Sequence, residues 1–520
     1  MDVGTLVARS MRRYRDRIAV EGPEGSMTYG EIGSRIFQLA RALKNLGLAE
    51  GDRVLDLQSN QNTYIETDLG ISSAGLCRVA LNYRLHPTDW VRITKDCGAK
   101  TLILDAKFWD DAAPVRELVD TIIVIKGDHP GAHNYENFLS KQSSEPLLLA
   151  VNPDALVSLN YSSGTTGNPK GAIRTHRNRL ASLGNIVTDI FGRTLNENDC
   201  WVHAGPVTHT SGLFVLPFFT FGAKQIVQAK FEPEALVEAI QHRGANATAL
   251  VPTMVARLLA MEDMNREKMA NLKMLGYARA PMPADQIRQC YDRITPHMVQ
   301  YYGLVEAIPP VTVLSARDHE RGLLEDPEIL TSAGNPCTTV EIRIVDENGN
   351  DVPQGEIGEV ITRGDHVMRG YYGAAGSDPT VTKAVRDGWL HTGDLGRLDP
   401  DNRLFLVDRK GDMIISGGYN IYPREIEEVI AEVDDVLEVA VMGVHDQEWG
   451  QRVVAMVTLK PSASAAGDHL VNKVLDHCKS RMATYKKPKE VLIVDSFPLN
   501  STGKIAKKVL KQQLEARNPK

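Results

Sequence analysis

The chain has 520 residues, 42% hydrophobic and 24% charged, so it is long enough for a large core and exceeds one ordinary domain. Lys and Arg total 59 against 66 Asp and Glu, a net charge of −7. Because no run of five or more like charges occurs, we exclude nucleic-acid or anionic-membrane binding as the main function.

The cysteines and the apolar stretches predict the compartment. The six cysteines are scattered without a C-x-x-C pair, which fits neither a zinc cluster nor a disulfide framework and predicts a reducing, cytoplasmic location. The longest low-charge apolar stretch, 212–223, is well short of the roughly 20 residues that a spanning helix requires, and it contains a proline. The Arg-rich start lacks a cleavage site for a transit peptide, so we expect an ordinary surface helix there.

From residue 30 to about 305, short aliphatic runs alternate with helical periodicity. This alternation predicts parallel sheets covered by helices, the first helix being Ile32–Leu46. The predicted strands are Arg53–Leu57, Thr101–Leu104, Thr121–Ile125, Leu156–Tyr161, Gln225–Val227, Ala247–Val251 and Met298–Tyr302.

The segment at 160–171, NYSSGTTGNPKG, follows one of these strands. Its three glycines let the backbone turn N–H groups inward, and its hydroxyls and lysine add donors, so we interpret it as a phosphate-binding loop. It is not a Walker P-loop, whose glycine spacing differs and whose lysine is followed by a hydroxyl. The residues expected to contact phosphate are Ser162, Ser163, Gly164, Thr165, Thr166, Gly167 and Lys170.

The pattern changes near Thr338, where period-two alternation and an Asn348-Gly349 turn predict an antiparallel insert, a small barrel or curled sheet. The 111 residues after Arg409 predict a compact α+β module. Its predicted elements are helix Arg424–Glu432, strands Leu437–Val441 and Val453–Leu459, helix Leu470–Met482, strand Val491–Val494 and a last helix from Ile505.

Eight segments in a fixed order resemble the adenylate-forming superfamily of acyl-CoA synthetases, aryl-CoA ligases, adenylation domains and beetle luciferases. They are TYGEI (28–32), GDRV (51–54), LNYRLHP (81–87), YSSGTTGNPKG (161–171), YYGLVEA (301–307), GWLHTGDLGRLD (388–399), DRKGDMIISGGYNIYPREIE (408–427) and LNSTGKI (499–505). The resemblance implies an α/β fold: two doubly wound parallel-sheet subdomains and a small antiparallel barrel over 1–408, a hinge at 409–412 and a small mobile α+β domain over 413–520. It also implies a reaction in which ATP converts a carboxylic acid to acyl-AMP and a thiol then displaces AMP.

The resemblance implies roles around the nucleotide. Tyr302 would stack on adenine, Asp394 would accept the ribose hydroxyls and Arg409 would donate to the same ribose. Glu306 would hold Mg²⁺, a hard cation that prefers carboxylate oxygen, and Lys504 would meet charge developing on the α-phosphate and carboxylate oxygens. From the residues alone, a buried strand aromatic, surface salt bridges and a solvated lysine face remain the alternatives.

Further roles concern the second half-reaction and the acyl pocket. Gly411 would be the hinge, where most relatives carry Asp or Lys, and Ser416, Gly417 and Gly418 would line the tunnel for coenzyme A; a simple turn is the alternative. His209 would lie at the mouth of the acyl pocket or, alternatively, in the core, with Gly212 leaving room beyond it. The phenylalanines at 214, 218, 219 and 221 suggest an apolar wall and hence a fatty, aryl or alicyclic acid.

Two residues depart from the family pattern beside the nucleotide. Val305 stands where relatives carry a threonine whose hydroxyl contacts phosphate; losing that contact costs about 1–3 kcal/mol, on the order of ten- to hundredfold in rate. Arg279 stands where a glycine is expected, and three orientations remain open: into solvent, toward a second carboxylate on the substrate, or crowding the pocket. Both departures suggest weakened adenylation.

We therefore expect an acyl-CoA ligase that uses ATP or a preformed acyl-AMP, Mg²⁺ and coenzyme A, with a small carboxylic acid as substrate. Alternatives are an enzyme that acts only on preformed acyl-AMP, one that loads a separate carrier protein, a luciferase-like oxygenase, and a non-catalytic nucleotide-binding protein. Only 16 residues follow Lys504, so we expect no fused carrier domain.

Overall fold

The computed structural model describes residues 1–162, 169–280, 282–373, 384–416, 419–447, 449–460, 463, 467–499 and 505–517. Within these residues no helix is long and apolar enough to cross a bilayer. All six cysteines are buried and free.

One mixed sheet has seven strands. Its strands are parallel except for the last, which turns back antiparallel to its neighbour with Ser162 opposite Lys170. In spatial order the strands are His133–Asn134, Thr121–Ile125, Thr101–Asp105, Arg53–Leu57, Cys77–Ala80, Leu156–Ser162 and Lys170–Thr175.

A second sheet has nine strands and is parallel through its centre. The hairpin Ile18–Gly22 and Gly25–Thr28 completes one edge by pairing with Lys224–Val227. In spatial order the strands are Asn335–Pro336, Thr312–Leu314, Met298–Tyr302, Met274–Tyr277, Ala247–Leu250, Cys200–His203, Lys224–Val227, Ile18–Gly22 and Gly25–Thr28.

Helices cover both sheets. A surface helix was predicted near the N-terminus, and the helix Val3–Arg13 forms there, with Val3, Leu6 and Val7 buried in one hydrophobic cluster with Tyr29–Asn45. The helices beside the two sheets are Val3–Arg13, Tyr29–Asn45, Thr63–Ser73, Pro87–Cys97, Ala113–Arg116, Tyr135–Ser140, His176–Asn185, Val215–Thr220, Pro233–His242, Pro252–Leu259, Ala284–Arg293 and Ala316–Leu324. Single turns of 3₁₀-helix lie at Ala106–Phe108, Thr210–Phe214 and Pro327–Thr331, and a π-helical turn at Ile186–Ile190.

The insert after residue 338 forms the predicted antiparallel sheet. It is five-stranded and curls through register shifts in its longest strand, Trp389–Leu398. The other strands are Glu341–Val345, Gly358–Arg363, Val385–Arg386 and Leu404–Arg409. This sheet brings Asp394 directly opposite Arg409 in register.

The C-terminal part is α+β. A two-stranded ribbon, Ile414–Ser416 with Tyr419–Ile421, precedes a three-stranded sheet of Val436–Asp446, Gly450–Leu459 and Glu490–Ile493. Helices Pro423–Ala431, Asp468–Arg481 and Lys507–Arg517 accompany it, and aliphatic residues of the first two helices share a buried cluster with the sheet. The Arg424 backbone N–H donates to Asp408 Oδ2 at 2.9 Å, which anchors the start of this part to the strand Leu404–Arg409.

Candidate active site

Three predicted nucleotide-binding residues meet where two sheets touch. Tyr302 ends a central strand of the nine-stranded sheet, and its hydroxyl donates to Asp394 Oδ2 at 2.6 Å. Arg409 Nε lies 2.8 Å from Asp394 Oδ1. Burial and the Asp394 carboxylate raise the pKa of Tyr302 well above its usual value, so its hydroxyl remains a donor. Asp394, 6% exposed, therefore has both oxygens engaged at the position expected to hold a ribose.

Glu306 lies on the loop that follows Tyr302. The Tyr371 hydroxyl donates to Glu306 Oε1 at 2.7 Å, and the Met368 backbone N–H donates to the Glu306 carbonyl at 2.8 Å. Lys170 Nζ lies 5.7 Å from the centroid of the Tyr371 ring. Tyr371 thus links the lysine of the predicted phosphate loop to the carboxylate predicted to hold the metal.

The donor set at Glu306 fits Mg²⁺. Among the residues described, no group of three or more His, Cys, Asp or Glu side chains is placed to hold a metal ion. Mg²⁺ is commonly bound by one or two carboxylates, with substrate phosphates and water completing the octahedron. A single carboxylate such as Glu306 beside a phosphate loop is sufficient for that arrangement.

Several predicted residues lie outside the part of the chain that the structure describes. They are Ser163, Gly164, Thr165, Thr166, Gly167, Gly417, Gly418 and Lys504. Their proposed roles remain predictions. Ser162 ends the strand that precedes the loop, and Lys170 begins the strand that follows it.

The Val305 peptide is held by an arginine that the sequence reasoning missed. Arg174 donates to the Val305 carbonyl from Nη2 at 2.9 Å and from Nε at 3.3 Å. Burial lowers the pKa of Arg174 to about 10, which leaves it charged at neutral pH, and Glu306 acts in the opposite direction. Arg174 lies in the strand that begins at Lys170, so it couples that strand to the Glu306 loop. The sequence contains one indication that Arg174 belongs to the site, namely its position shortly after the glycine-rich segment.

His209 is half-buried beside a cavity. Its Nε2 lies 3.2 Å from the Asn82 amide nitrogen, and the cavity is also lined by Thr208, Leu213 and Leu216. Burial lowers the pKa of His209 to about 3, and the charges of Arg279 and Arg84 act in the same direction. The ring is therefore neutral at physiological pH.

The expected phenylalanine wall is not what the structure shows. Phe214 stacks on Trp201 with ring centroids 3.8 Å apart, and Phe219 packs on Tyr29 at 4.8 Å, so both rings belong to the core. Gly212 lines the cavity, but a Cβ there would lie 2.2 Å from the Val207 carbonyl oxygen. The glycine is required by this close backbone approach rather than by room for a substrate.

Arg279 adopts a φ of +79°, a left-handed conformation that costs a non-glycine residue about 1–2 kcal/mol. The side chain is half-buried, and burial lowers its pKa. Its charge acts on His209 and Tyr301. Of the three orientations considered from sequence, free extension into solvent is the one that this burial disfavours.

The predicted hinge and tunnel residues are only partly described. Gly411 lies in a turn, its φ is not left-handed, and a Cβ there would meet no atom of the described residues within 4 Å. Ser416 is 6% exposed and pairs with Tyr419 in the two-stranded ribbon. Neither observation tests the proposed roles.

Comparisons with known proteins identify the family. A family model described as AMP-binding enzyme matches residues 7–372, and one described as AMP-binding enzyme C-terminal domain matches 425–504. A medium/long-chain-fatty-acid–CoA ligase of Mycobacterium tuberculosis is 32% identical over 525 residues, covering 98% of this chain and 89% of that protein. A feruloyl-CoA synthase of an Amycolatopsis species is 33% identical over 508 residues, 97% of each chain. The crystal structure of ATP-bound MatB from Rhodopseudomonas palustris superimposes with a TM-score of 0.87 at 27% identity, covering 99% of each chain.

Proposed function

The chain belongs to the AMP-binding enzyme family and is an acid–thiol ligase, and we propose that it converts an acid with an apolar body through acyl-AMP to acyl-CoA. The observation that carries the proposal is the cluster of Tyr302, Asp394 and Arg409. A carboxylate with four lone-pair sites accepts two ribose hydroxyls while still bound by an arginine. The apolar lining residues Leu213, Leu216 and Pro217 support an apolar substrate body, and the same cavity is also lined by the charged residues Asp68, Arg78 and Arg179.

In the first half-reaction, a carboxylate oxygen of the acid attacks the α-phosphorus of ATP, and pyrophosphate leaves. Asp394 and Arg409 orient the ribose, and the Tyr302 ring lies beside it for stacking on the base. Lys170 would face the β- and γ-phosphates, and Glu306 would hold Mg²⁺, which would offset phosphate charge when bound. Lys504 approaches the oxygens on which negative charge develops.

In the second half-reaction, the sulfur of coenzyme A attacks the acyl carbonyl carbon, the acyl–phosphate bond breaks and AMP leaves. Rotation about Gly411 exchanges the face of the C-terminal part that meets the nucleotide, and Ser416, Gly417 and Gly418 then line the thiol path. Small side chains suit this path because pantetheine is long and narrow. A hinge without a Cβ accommodates a large backbone rotation.

A second candidate is an enzyme that works chiefly on preformed acyl-AMP. Val305 favours it, because its side chain cannot donate to a phosphate. Arg174 binds the Val305 backbone and keeps that loop in place, but it does not replace the missing hydroxyl. Under this reading adenylation is slow and thioester formation is normal.

The test separates the half-reactions. Purified full-length protein is given a panel of carboxylic acids with ATP, Mg²⁺ and coenzyme A, and separately the matching synthetic acyl-AMPs. Acyl-CoA from both routes supports the full ligase; acyl-CoA from acyl-AMP alone supports the second candidate. Offering a phosphopantetheinyl carrier protein in place of coenzyme A identifies the acceptor. Absence of thioester by every route, with Lys504→Ala indistinguishable from the wild type, would overturn the proposal.

A further inference from the structure

A polar group lies on the side of the site that faces away from the nucleotide. Tyr301 and Tyr302 are consecutive in one strand, and consecutive strand residues point to opposite faces of a sheet. Tyr302 points to Asp394. Tyr301 packs instead edge-on against Phe214, with ring centroids 6.0 Å apart. Tyr301 therefore points away from the nucleotide, toward the turn Thr210–Phe214, whose Gly212 and Leu213 line the cavity beside His209. We call this face the acyl side.

Arg279 belongs to this acyl side. It follows the strand Met274–Tyr277 by two residues, and Tyr277 pairs with Gln300 next to Tyr301, so Arg279 and Tyr301 lie at the same edge of the sheet. The Tyr301 ring covers this neighbouring strand, because a Cβ on Gly276 would lie 3.3 Å from Tyr301 Cε1. The charge of Arg279 acts on Tyr301 and on His209.

Two buried hydroxyls near this edge have no hydrogen-bond partner among the residues that the structure describes. Tyr301 is 2% exposed, and its hydroxyl makes no hydrogen bond within the described residues. The Thr208 hydroxyl, next to His209, is buried and equally unpaired there. Across the same residues Arg279 forms no ion pair with an acidic side chain. Buried hydroxyls without a partner are unfavourable unless a ligand completes them, and the half-buried Arg279 leaves its charge available to the same ligand.

The sign of the charge identifies the ligand. Arg84 also acts on His209, and the neutral His209 ring contributes no negative charge. A guanidinium offers donors in a fork that matches a carboxylate, and a phenol hydroxyl adds a third donor. A neutral hydrocarbon end would leave all of these donors unsatisfied.

We propose that the acid activated at this site carries a second carboxylate, bound by the Arg279 guanidinium and the Tyr301 hydroxyl on the acyl side. The inference rests on the proposed function and narrows its substrate to a dicarboxylic acid with an apolar middle. The reacting carboxylate lies toward the Tyr302 face, and the second carboxylate lies toward the Tyr301 face. The strained φ of Arg279 fits this role, since backbone strain accumulates at binding sites.

The experiment compares diacids with their own half-esters. α,ω-Dicarboxylic acids of increasing chain length and the benzenedicarboxylic acids are each paired with the monomethyl ester. Binding is measured by calorimetry and adenylation by pyrophosphate exchange. Variants are Arg279→Gln, Arg279→Lys and Tyr301→Phe, with Arg288→Gln as the matched control because Arg288 is exposed on the helix Ala284–Arg293.

We expect the wild type to prefer at least one diacid over its half-ester by about tenfold or more. This factor corresponds to the energy of one charge-assisted hydrogen bond. Arg279→Gln should abolish the preference, Arg279→Lys should retain part of it, Tyr301→Phe should reduce it several-fold, and Arg288→Gln should leave it unchanged. Equal use of diacids and half-esters by the wild type, or a preference that survives Arg279→Gln, overturns the inference while leaving the ligase reaction intact. Conversely, Arg279-dependent diacid binding without any thioester formation supports the carboxylate site and overturns the proposed function.

Discussion

The Tyr302 hydroxyl donates to Asp394 Oδ2 at 2.6 Å, and this hydrogen bond joins the large parallel sheet to the curled antiparallel sheet. The two residues are 92 positions apart in the chain. Both the ring and the carboxylate are therefore held in place before a nucleotide binds, which reduces the entropic cost of ordering them on binding.

Asp394→Asn should weaken nucleotide binding. The amide keeps the size of the carboxylate but loses its charge, so Arg409 loses its ionic partner and the ribose loses an acceptor. We expect the KM for ATP to rise about ten- to hundredfold, equivalent to about 1–3 kcal/mol. Tyr302→Phe, which removes only the hydroxyl, should raise the KM by less. An unchanged KM in Asp394→Asn would contradict the assignment of the ribose site.

Val305→Thr should accelerate adenylation. The substitution keeps the branched shape and adds the hydroxyl that relatives carry, so a gain of about tenfold in pyrophosphate exchange is expected. Thioester formation from synthetic acyl-AMP should be unchanged, and it serves as the internal control. If both half-reactions respond equally, the missing hydroxyl is not specific to adenylation.

Arg174→Met should raise the Mg²⁺ concentration required for adenylation. The variant keeps an unbranched side chain but frees the Val305 carbonyl, so the adjacent Glu306 is less firmly positioned. We expect the half-saturating Mg²⁺ concentration to rise several-fold. Arg177→Met is the matched control, because Arg177 pairs with Asp154 on the surface. Equal Mg²⁺ dependence in the two variants would show that Arg174 does not position Glu306.

Gly411 can be tested by restricting its backbone. In the part of the chain that the structure describes, no atom lies within 4 Å of a Cβ placed there, so Gly411→Ala should alter the free energy of unfolding by no more than about 0.5 kcal/mol. Gly411→Pro fixes φ near −65°. If residue 411 is the hinge, the proline variant should lose one half-reaction by an order of magnitude or more and retain the other. Identical kinetics in the alanine and proline variants would argue against a hinge at this residue.

Acid should destabilise the fold through buried histidines. Burial lowers the pKa of each of His176, His203, His319 and His366 to about 4, whereas the unfolded chain protonates them near 6.5. Below pH 6.5 the unfolded state binds more protons, so stability falls as the pH drops toward 4, by about 1.4 kcal/mol per pH unit for each histidine. Denaturant unfolding across this range measures how steeply the free energy of unfolding depends on pH. His366→Gln should reduce that dependence by about 1.4 kcal/mol per pH unit. A flat profile between pH 6.5 and 4 would contradict the expectation.

Some short strands rich in apolar residues were predictable from local sequence. Arg53–Leu57, Thr121–Ile125 and Met298–Tyr302 occur with the predicted bounds, and most of the side chains in each strand are buried. The hairpin that begins at Ile18 and the strand Cys200–His203 were missed. These strands are short and carry polar residues, and tertiary pairing rather than propensity determines them.

The site was predictable where motif residues are brought together by one local element. Asp394 and Arg409 lie in paired strands of one sheet, and family motifs marked both. Tyr371 contacts Glu306, which is 65 positions away, and Arg174 contacts Val305, which is 131 positions away. Over such separations, the spacing of residues in the sequence does not predict which side chains meet. The prediction of a phenylalanine wall was wrong, because an apolar run indicates that the rings are buried but not whether they face a cavity or the core.

The edge of the nine-stranded sheet has a consequence for biosynthesis. Strand Ile18–Gly22 is made about 200 residues before its parallel partner Lys224–Val227. At typical synthesis rates of about 5–20 residues per second, it waits about 10–40 s on the ribosome with an unpaired edge. The hairpin with Gly25–Thr28 covers only one of its sides during that interval. An unpaired strand edge can pair with other chains, so slower synthesis of the intervening residues would lengthen the interval in which this edge is open to such contacts.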